Sequence, residues 1–540
     1  MFKSYLKIAW RSILKDKQFT LLNLLGLSTG LACILLIFFW VNDELQTDRF
    51  NAKDSQLYEV LKKGVDGTGA IRVGDHTQGL LAQSMAAELP DVEYAVAVRK
   101  DRNASILSAA EKHLKITHQF AGKDFFNVFT YSLADGHTNK VTGVTGVFLS
   151  DQLAIKLFNT TRVTGKTVNW DFKDNEVDFS GVYTIAGVYK SPPANATNQF
   201  DLLLPFELYA AKHAGGMGDI TFWGSNMVST YLILKAGTNI AAFDKKIKNF
   251  STAKIKSLYP GNSEMEQYEG TMFTRRFSDA YLHNNFVDGK PSGGRIEYIK
   301  LFSIVAAFIL VIACINFMNL STAKASSRFK EIGIKKVVGA SRRSLVVQYI
   351  AESMIMAFAA LLVALLFVQL LFPAFREITG KDLHLQLNAA LIACIAGITL
   401  LTGLIAGSYP ALYLSRFKPV LILKGKTNTS TGEAWVRKGL VVFQFSISVI
   451  LIVSVLVVYQ QMKLIQTTNL GYSKDNIIRF SNEGNLTRQQ GAFLAAIKKI
   501  PGVLHASGME GDLLGRAFRW WHQLGRKRSQ SQPAVLWKWG

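Results

Sequence analysis

The sequence predicts a membrane protein, an α-helical bundle of about five spans with a large α+β extracytoplasmic domain. Apolar residues make up 49% of its 540 residues and charged residues only 19%, whereas average proteins contain about 25% charged residues. The basic excess behind the net charge of +22 lies mainly beside long apolar runs and near the end of the chain. Because lysine and arginine next to a span set its orientation in the bilayer, this distribution argues against nucleic acid as a partner.

Five uncharged apolar runs are long enough to cross a bilayer, for which a helix needs about 20 residues. The first run is longer than the core of a cleaved signal peptide, so we interpret it as a permanent anchor. All three cysteines lie inside these runs, which argues against a disulfide framework or a thiolate metal site. The five spans are residues 19–41, 301–320, 354–372, 389–414 and 439–462.

Basic residues concentrate in three segments that alternate with the spans. They outnumber acidic residues by five to one in residues 1–18, seven to two in 321–353 and six to one in 415–438. Positively charged short loops remain in the cytoplasm, and counting the crossings places the same three segments on one side. We therefore expect a cytoplasmic amino terminus, with residues 42–300 and 463–540 outside the cytoplasm and a short outer loop from Pro373 to Asn388.

The segment before the first span, residues 1–18, has a helical pattern. Lys3, Lys7 and Arg11 recur every four residues, and apolar residues occupy another side. This pattern predicts an amphipathic helix that lies on the inner leaflet, with its cations near anionic headgroups. A solvated basic stop before the span is the alternative.

Residues 42–300 alternate strand-like and helix-like segments, which favours an α+β fold. The apolar, β-branched stretches 144–149 and 183–188 are typical of strands, whereas residues 78–89 and 151–158 have helical patterns. No pair of its histidines has the spacing of a metal site, and we find neither a cysteine nor a G-x-S-x-G nucleophile. We therefore expect no metal centre and no enzyme.

The end of the chain resembles its beginning. A helical segment closes into Pro-x-Val at residues 90–92, after the first span, and again at 501–503, after the fifth. A duplicated architecture would continue with a second outer domain and further spans, so we expect residues 463–540 to be the start of that domain. From about Arg516 the composition becomes basic and rich in tryptophan, which suggests a reading frame interrupted near Gly515. A genuine tail lying on a membrane surface is the alternative.

The loop after the second span has the features of a compact helical knob. Residues 330–338 suit a short amphipathic helix, Gly339 suits the end of that helix, and Ser341 suits the cap of the next one. Two short helices joined by a tight turn can dock on a partner protein. A solvated positive loop without a partner is the alternative.

The loop reads EIGIKKVVGA at residues 331–340, and this sequence resembles the signature of the MacB/FtsX-type permeases of ABC transporters, with Lys335 in place of arginine. Further matches are AGSYPAL at 406–412 and LSDQLAIKLF at 149–158. The resemblance implies a MacB-like periplasmic core domain over residues 42–300 and an FtsX-like permease domain over 301–425. It also implies a place in the bacterial inner (plasma) membrane.

In this family the knob is the coupling helix that docks on a nucleotide-binding subunit. By the resemblance, the contact residues would be Lys330, Glu331, Ile332, Ile334, Lys335, Lys336, Arg342 and Arg343. The Gly-Lys-Thr sequences at 165–167 and 425–427 lack the upstream glycine of a phosphate-binding loop. We therefore expect no cofactor in this chain and ATP in a separate ATPase subunit.

These features predict a permease subunit that couples ATP hydrolysis by that partner to movement of its extracytoplasmic domain. The expected outcome is export or extrusion of a peptide, a lipid or lipoprotein, or an antibiotic-like substrate. The resemblance implies two permease units per nucleotide-binding dimer, as a homodimer or a pair of permeases, in contact with membrane lipid. The alternative is a membrane sensor or regulatory scaffold that transmits a conformational signal without transport.

Overall fold

The computed structural model describes residues 17–510 and 533–539 apart from short internal stretches. The stretches outside the description are residues 66–68, 102–104, 137–142, 175–176, 216–218, 262–268, 382, 384–388, 416–430, 469–475, 481–485 and 487–488. The helix predicted before the first span, the second Gly-Lys-Thr sequence and most of the tryptophan-rich tail therefore lie outside the described residues.

The helices within the described residues form two groups, long apolar ones and short ones. In chain order they are α1 (Lys17–Gln46), α2 (Leu81–Glu88), α3 (Phe125–Val128), α4 (Asp151–Phe158), α5 (Phe206–His213), α6 (Ile240–Ile247), α7 (Phe250–Leu258), α8 (Ile296–Ala323), α9 (Ala325–Val337), α10 (Arg342–Thr379), α11 (Ala389–Ser415), α12 (Thr431–Thr467) and α13 (Gln490–Ile497).

The strands are β1 (Leu57–Val65), β2 (Ile71–Gly74), β3 (Thr77–Gln78), β4 (Val92–Lys100), β5 (Ser105–Ala109), β6 (Lys112–Ile116), β7 (His118–Ala121), β8 (Leu133–Asp135), β9 (Gly146–Ser150), β10 (Thr167–Asp171), β11 (Lys173–Asp174), β12 (Val177–Asp178), β13 (Gly181–Tyr189), β14 (Leu202–Pro205), β15 (Asn226–Leu234), β16 (Thr271–Arg276), β17 (Phe286–Val287), β18 (Lys290–Pro291), β19 (Ile477–Phe480), β20 (Val503–Glu510) and β21 (Pro533–Trp539). Single 3₁₀ turns occur at Asp54–Gln56 and Phe277–Asp279.

The chain divides into two compact units. The helical unit contains residues 1–45 and 296–468, and the second unit contains residues 46–295 and 469–540. In the helical unit, α1, α8, α10, α11 and α12 are long and apolar enough to cross a membrane. The expectation of about five spans is therefore confirmed.

The third spanning helix differs from its prediction at the outer end. We expected a loop from Pro373, where the apolar run stops, but α10 continues through Pro373 to Thr379 and ends at Gly380, whose φ of 63° is left-handed. A proline removes one backbone hydrogen bond without necessarily ending a helix. Here the flanking Phe372 and Phe375 pack against the buried core of the helical unit, which stabilises the turns on both sides.

Two pairs of glycines, each four residues apart, allow close helix packing in the helical unit. Gly26 and Gly30 lie on α1, and Gly403 and Gly407 lie on α11. A Cβ atom at Gly30 would lie 2.7 Å from the Cβ of Ala313 on α8, and one at Gly407 would lie 2.8 Å from a serine Cβ on α10. Because lipid is as apolar as leucine, such close van der Waals contact is a main source of helix association in a membrane.

The second unit contains a mixed sheet of 14 strands with short helices packed against it. Most neighbouring strands are antiparallel, whereas β13 pairs with β9 and β14 pairs with β7 in parallel. One apolar cluster surrounds Trp170 and Phe120, and another joins α2 and α6 to the sheet through Met85 and Phe243. The α+β prediction is confirmed. Helix α4 covers the residues predicted to be helical and is capped by Ser150, whose Oγ accepts a hydrogen bond from the N–H of Leu153 at 3.2 Å.

The carboxyl-terminal segment contains α13 and a three-stranded sheet in the order β19-β21-β20. Its local order repeats that of the first outer segment. Helix α2 is followed by Pro90 and by β4, which begins at Val92, and α13 is followed by Pro501 and by β20, which begins at Val503. In each case the proline separates the helix from a strand that begins two residues later.

Candidate functional site

The loop after α8 folds as a helix, a tight turn and the start of a spanning helix. We call residues 325–343, which contain α9 and the first residues of α10, the knob. Gly339 has a φ of 101° at the turn, and Ser341 caps α10, its Oγ accepting from the N–H of Ser344 at 3.2 Å. The expected helix end and cap are where the sequence placed them. The second helix is not a short separate one, because it continues as α10.

Ile332 attaches α9 to the helical unit. Its side chain is fully buried and packs with Leu345 and Tyr349 of α10 and with Ala411 and Leu414 of α11. We expected Ile332 at the surface that contacts a partner. A side chain without solvent exposure in the isolated chain instead fixes the position of α9, so this residue anchors the knob.

Several cationic side chains of the knob already form hydrogen bonds or ion pairs within the chain. Lys335 Nζ lies 2.7 Å from Glu331 Oε1 and 3.3 Å from Gln348 Oε1. Lys336 Nζ donates to the main-chain oxygen of Ser415 at 2.7 Å, and Arg342 Nε lies 3.4 Å from the hydroxyl of the same serine. Positive groups at a helix carboxyl terminus interact favourably with its dipole, so Lys336 and Arg342 hold the end of α11.

The electrostatic environment of Lys336 agrees with this position. Burial lowers the pKa of its ammonium, and the positive charge of Arg342 lowers it further. Two cations therefore converge on the last residue of α11, where carbonyl groups left without helical partners accept hydrogen bonds.

The exposed edge of the knob is largely apolar. Ile334, Val337 and Val338 are 59%, 63% and 83% exposed, and Glu331 and Arg343 flank them on the surface. The sequence prediction did not include Val337 and Val338 among the contact residues. Their three- and four-residue separations from Ile334 could have indicated this apolar edge, because such spacing places side chains on one helix face. The side chain of Lys330 lies outside the described ones.

An ion-pair cluster joins two elements at the other end of the helical unit. Lys381, directly after the cap of α10, places its Nζ 2.6 Å from Asp43 Oδ2 and 2.8 Å from Glu44 Oε1 near the end of α1. Glu44 is 2% exposed. Sequence reasoning missed this cluster because its partners are more than three hundred residues apart.

Two buried histidines of the second unit, His118 and His213, make internal contacts. His118 Nδ1 lies 3.1 Å from Ser105 Oγ, and burial, with Arg99 as a second cause, lowers the pKa of its ring to about 3. His213 Nδ1 lies 3.0 Å from the backbone oxygen of Tyr209. No three or more His, Cys, Asp or Glu side chains of the described residues are grouped so that they could hold a metal ion.

Comparison with known proteins identifies both parts of the chain. The family model of the MacB-like periplasmic core domain matches residues 20–250, and that of the FtsX-like permease C-terminal matches residues 303–419. A "Macrolide export ATP-binding/permease protein MacB" from Bdellovibrio bacteriovorus is 31% identical over 126 residues, which cover 23% of this chain and 19% of the relative. The protein of the same name from Escherichia coli O6:K15:H31 is 22% identical over 440 residues, which cover 78% and 60% of the two chains.

Solved structures of outer domains are also similar. The periplasmic region of MacB from Actinobacillus actinomycetemcomitans has a TM-score of 0.29 and 16% identity, over 42% of this chain and 91% of that one. The extracellular domain of the ABC-type transporter YknZ from Gram-positive bacteria has a TM-score of 0.28 and 15% identity, over 41% and 99%. The MacB-like model covers most of α1 and most of the second unit, and the FtsX-like model covers most of α8, the knob, α10 and α11. The chain belongs to the MacB/FtsX-type permeases of ABC transporters.

Proposed function

We propose that this permease couples ATP hydrolysis on a separate nucleotide-binding subunit to movement of its extracytoplasmic domain. The expected result is export or extrusion of a peptide, a lipid or lipoprotein, or an antibiotic-like substrate. In this proposal the chain spans the inner membrane of a bacterial cell, with its amino terminus and the knob on the cytoplasmic side. Two permease units, as a homodimer or a pair, would share one nucleotide-binding dimer.

The observation that carries the proposal is the exposed apolar edge of the knob. Ile334, Val337 and Val338 are mostly exposed and lie outside the five apolar runs. Apolar side chains at the centre of a polar rim are typical of protein interfaces. Glu331, Lys335 and Arg343 would supply that rim.

Anchoring and contact are divided between different residues of the knob. Ile332 is buried, and Lys336 and Arg342 bind the end of α11, so these three residues would transfer a displacement of α9 to the helical unit. A docking helix that moved without such attachments would transmit no force. We therefore assign Ile332, Lys336 and Arg342 to force transfer and the exposed residues to partner contact.

The described contacts also offer a route to the outer side. Helix α10 runs without interruption from the knob through 38 residues, about 57 Å at 1.5 Å per residue. Directly after its cap, Lys381 pairs with Asp43 and Glu44 near the end of α1. The extracytoplasmic unit begins at Gln46, two residues after Glu44. A displacement of the knob would thus reach the segment that leads into the moving domain.

The proposal is tested by purifying the chain from its native membranes in mild detergent and identifying what accompanies it. We expect an ATPase subunit with phosphate-binding loops to be recovered with the wild-type chain and lost at least tenfold with Val338→Glu. Val182→Glu, at a 68% exposed valine of β13, is the matched control and should retain the subunit. Equal recovery with all three chains would show that the knob is not the docking site.

A transport measurement separates the proposal from the scaffold alternative. Inside-out membrane vesicles that contain the chain and its ATPase expose the cytoplasmic face to the surrounding solution. Candidate peptides, lipopeptides and macrolides would be added to that solution. Uptake that requires ATP and disappears with Val338→Glu would support a permease. Stable recovery of the ATPase with no ATP-dependent movement of any candidate would favour a regulatory scaffold.

A further inference from the structure

Two side chains hold the segment between α1 and β1 against the body of the second unit. We call residues 47–56 the entry segment, because they follow α1, which ends at Gln46, and precede β1, which begins at Leu57. A free linker of ten residues could extend over about 35 Å and would absorb a displacement of α1 by several ångströms. The contacts of the entry segment therefore decide whether such a displacement reaches the second unit.

The first contact is made by Asp48. Its Oδ1 accepts a hydrogen bond from the N–H of Thr197 at 2.8 Å, and its Oδ2 accepts one from the hydroxyl of the same threonine at 2.5 Å. Asp48 is 1% exposed, and its main-chain oxygen lies 3.4 Å from Nδ2 of Asn51. One buried carboxylate thus receives both donor groups of a threonine that lies far along the chain.

The second contact is made by Asn51 and also uses both polar groups of a threonine. Asn51 Oδ1 accepts from the N–H of Thr130 at 3.0 Å, and the hydroxyl of Thr130 accepts from the N–H of Ala52 at 2.9 Å. Asn51 is buried. We call the pairs Asp48–Thr197 and Asn51–Thr130 the clamp. Because Asp48 is the second residue after α1, little free chain separates the helix from the clamp.

The clamp leads to the buried core of the second unit. Tyr131 follows Thr130 directly, and Phe200 follows Thr197 by three residues. The centroids of these two rings are 5.6 Å apart, and both residues belong to one buried cluster. Phe50 of the entry segment adds a third ring, 5.9 Å from that of Tyr131. A displacement applied to the clamp would therefore act on closely packed side chains, which transmit strain.

The residue at position 48 is not the one that its backbone and its burial favour. Asp48 has a φ of 61°, in the left-handed region, where a helix most often ends on a glycine. Burial also raises the pKa of its carboxyl above the ordinary value, because the charged form loses solvation. A glycine would adopt the same backbone without a Cβ and without a buried carboxyl. What aspartate has and glycine lacks is the pair of hydrogen bonds to Thr197.

We propose that Asp48 and Asn51 are positioning residues that make the second unit follow the end of α1. The clamp would carry a displacement of α1 into the aromatic core, so that the entry segment acts as a rigid connector. This assignment rests on the proposed movement of the extracytoplasmic domain and deepens it, because it names the residues through which α1 would act. The alternative is a hinge at the entry segment, at which α1 and the second unit move separately.

The test is hydrogen–deuterium exchange of the full 540-residue chain in lipid nanodiscs, resolved to single amides. The amides of Thr130 and Thr197 donate to the clamp, so their exchange reports its opening. Asp48→Gly should speed exchange at Thr197 about tenfold, and Asn51→Ala should do the same at Thr130. Asp48→Asn is the conservative variant and should stay within about twofold of the wild-type chain, because its Oδ1 accepts from the N–H and its Nδ2 donates to the hydroxyl oxygen.

Transmission is measured by loosening the end of α1. Lys381→Ala removes the cation that pairs with two carboxylates there. In the wild-type background this change should speed exchange several-fold in residues 198–205, which contain β14. In the Asp48→Gly/Asn51→Ala background, which lacks the clamp, it should alter exchange in the same residues by about twofold or less. A purely structural role of the clamp would not produce this difference between the two backgrounds.

Two controls complete the measurement. Residues 40–46 of α1 should exchange faster after Lys381→Ala in both backgrounds, which shows that the helix end has been loosened. Lys300→Ala removes the cation of an exposed ion pair, in which Nζ lies 2.9 Å from Oε1 of Glu297. It should leave the exchange of residues 40–46 and 198–205 unchanged.

Three outcomes would overturn the assignment. Unchanged exchange at Thr197 in Asp48→Gly would show that this pair does not hold the entry segment. An equal response of residues 198–205 in both backgrounds would show that the displacement arrives by another route. A response confined to residues 40–46 would identify the entry segment as a hinge. Each result leaves the proposed ATP coupling to be judged separately, because no ATPase subunit takes part in the measurement.

Discussion

The ammonium of Lys381 lies 2.8 Å from the carboxylate of Glu44, so one ion pair joins the end of α10 to the last turn of α1. Asp43 adds a second carboxylate 2.6 Å from the same ammonium. The two acidic residues precede the extracytoplasmic unit, and the lysine follows the helix that begins at the knob. The three charges therefore form a contact that depends on the relative position of two spanning helices.

We expect Lys381→Ala to destabilise the helical unit. The change leaves Glu44 buried without its cation, and removing one member of a buried pair costs about 3–5 kcal/mol. Thermal unfolding in detergent measures the loss. Lys300→Ala, which removes the cation of the exposed pair with Glu297, is the control and should change stability by about 0.5 kcal/mol or less. Equal midpoints for the two variants would mean that the Lys381 contact contributes nothing.

Ile332 and Ile334 should respond to alanine in opposite ways. Ile332 is fully buried, so Ile332→Ala should lower the free energy of unfolding by about 2–4 kcal/mol. Ile334 is 59% exposed, so Ile334→Ala should leave stability within about 0.5 kcal/mol but weaken ATPase binding. Unfolding curves and recovery of the ATPase measure the two effects separately. A stable Ile332→Ala chain would contradict the anchoring role.

Gly407→Ala should disrupt the packing of α11 on α10. Its Cβ would lie 2.8 Å from the Cβ and Oγ of Ser353, so the helices must separate, at about 1–3 kcal/mol. Gly397, on the same helix, has nothing within 4 Å of a Cβ placed there, and Gly397→Ala should be neutral or stabilising by up to about 1 kcal/mol. Thermal unfolding of both variants provides the comparison. A similar loss for both would show that the close approach does not matter.

The second unit should lose stability in acid because of His118. Its folded-state pKa is about 3, below the ordinary value of 6.5, so the unfolded chain binds the extra proton between these values. Stability therefore falls as the pH drops below about 6.5 and this contribution levels off near pH 3, with a slope of up to about 1.4 kcal/mol per pH unit.

Urea unfolding followed by tryptophan fluorescence between pH 7 and 4 measures this dependence. His118→Gln should flatten it, because the amide does not titrate, even if the overall stability is lower. His113→Gln, at an exposed histidine of β6, is the control and should leave the slope as in the wild-type chain. An unchanged slope in His118→Gln would assign the acid sensitivity to other groups.

Features encoded in short stretches of sequence could be predicted, and long-range pairings could not. The five apolar runs, the helix end at Gly339 and the cap at Ser341 are local signals, and the structure contains each of them. The burial of Ile332 depends on Leu414, far along the chain, which no local pattern reports. The same holds for Lys381, whose partners Asp43 and Glu44 precede it by more than three hundred residues.

The predicted start of the outer loop at Pro373 was wrong for a related reason. Hydropathy locates where a segment leaves hydrocarbon, whereas hydrogen bonding and packing decide where a helix ends, and the two points differ by seven residues between Phe372 and Thr379. The contact residues predicted for the knob came from a sequence motif, which gives residue identities but not the orientation of their side chains. The burial of Ile332 and the exposure of Ile334 follow only from how α9 packs against its neighbours.

The uninterrupted length of α10 makes the expected communication between its two ends reciprocal. A stiff element that carries a displacement outward also carries one inward, and thermodynamic linkage requires the two couplings to be equal in free energy. A substrate that favours one position of the outer domain should therefore change the affinity of the knob for its ATPase by a certain factor. Binding of the ATPase should change the affinity of the permease for that substrate by the same factor. The helix would then report bound substrate to the ATPase as well as transmit displacement from it.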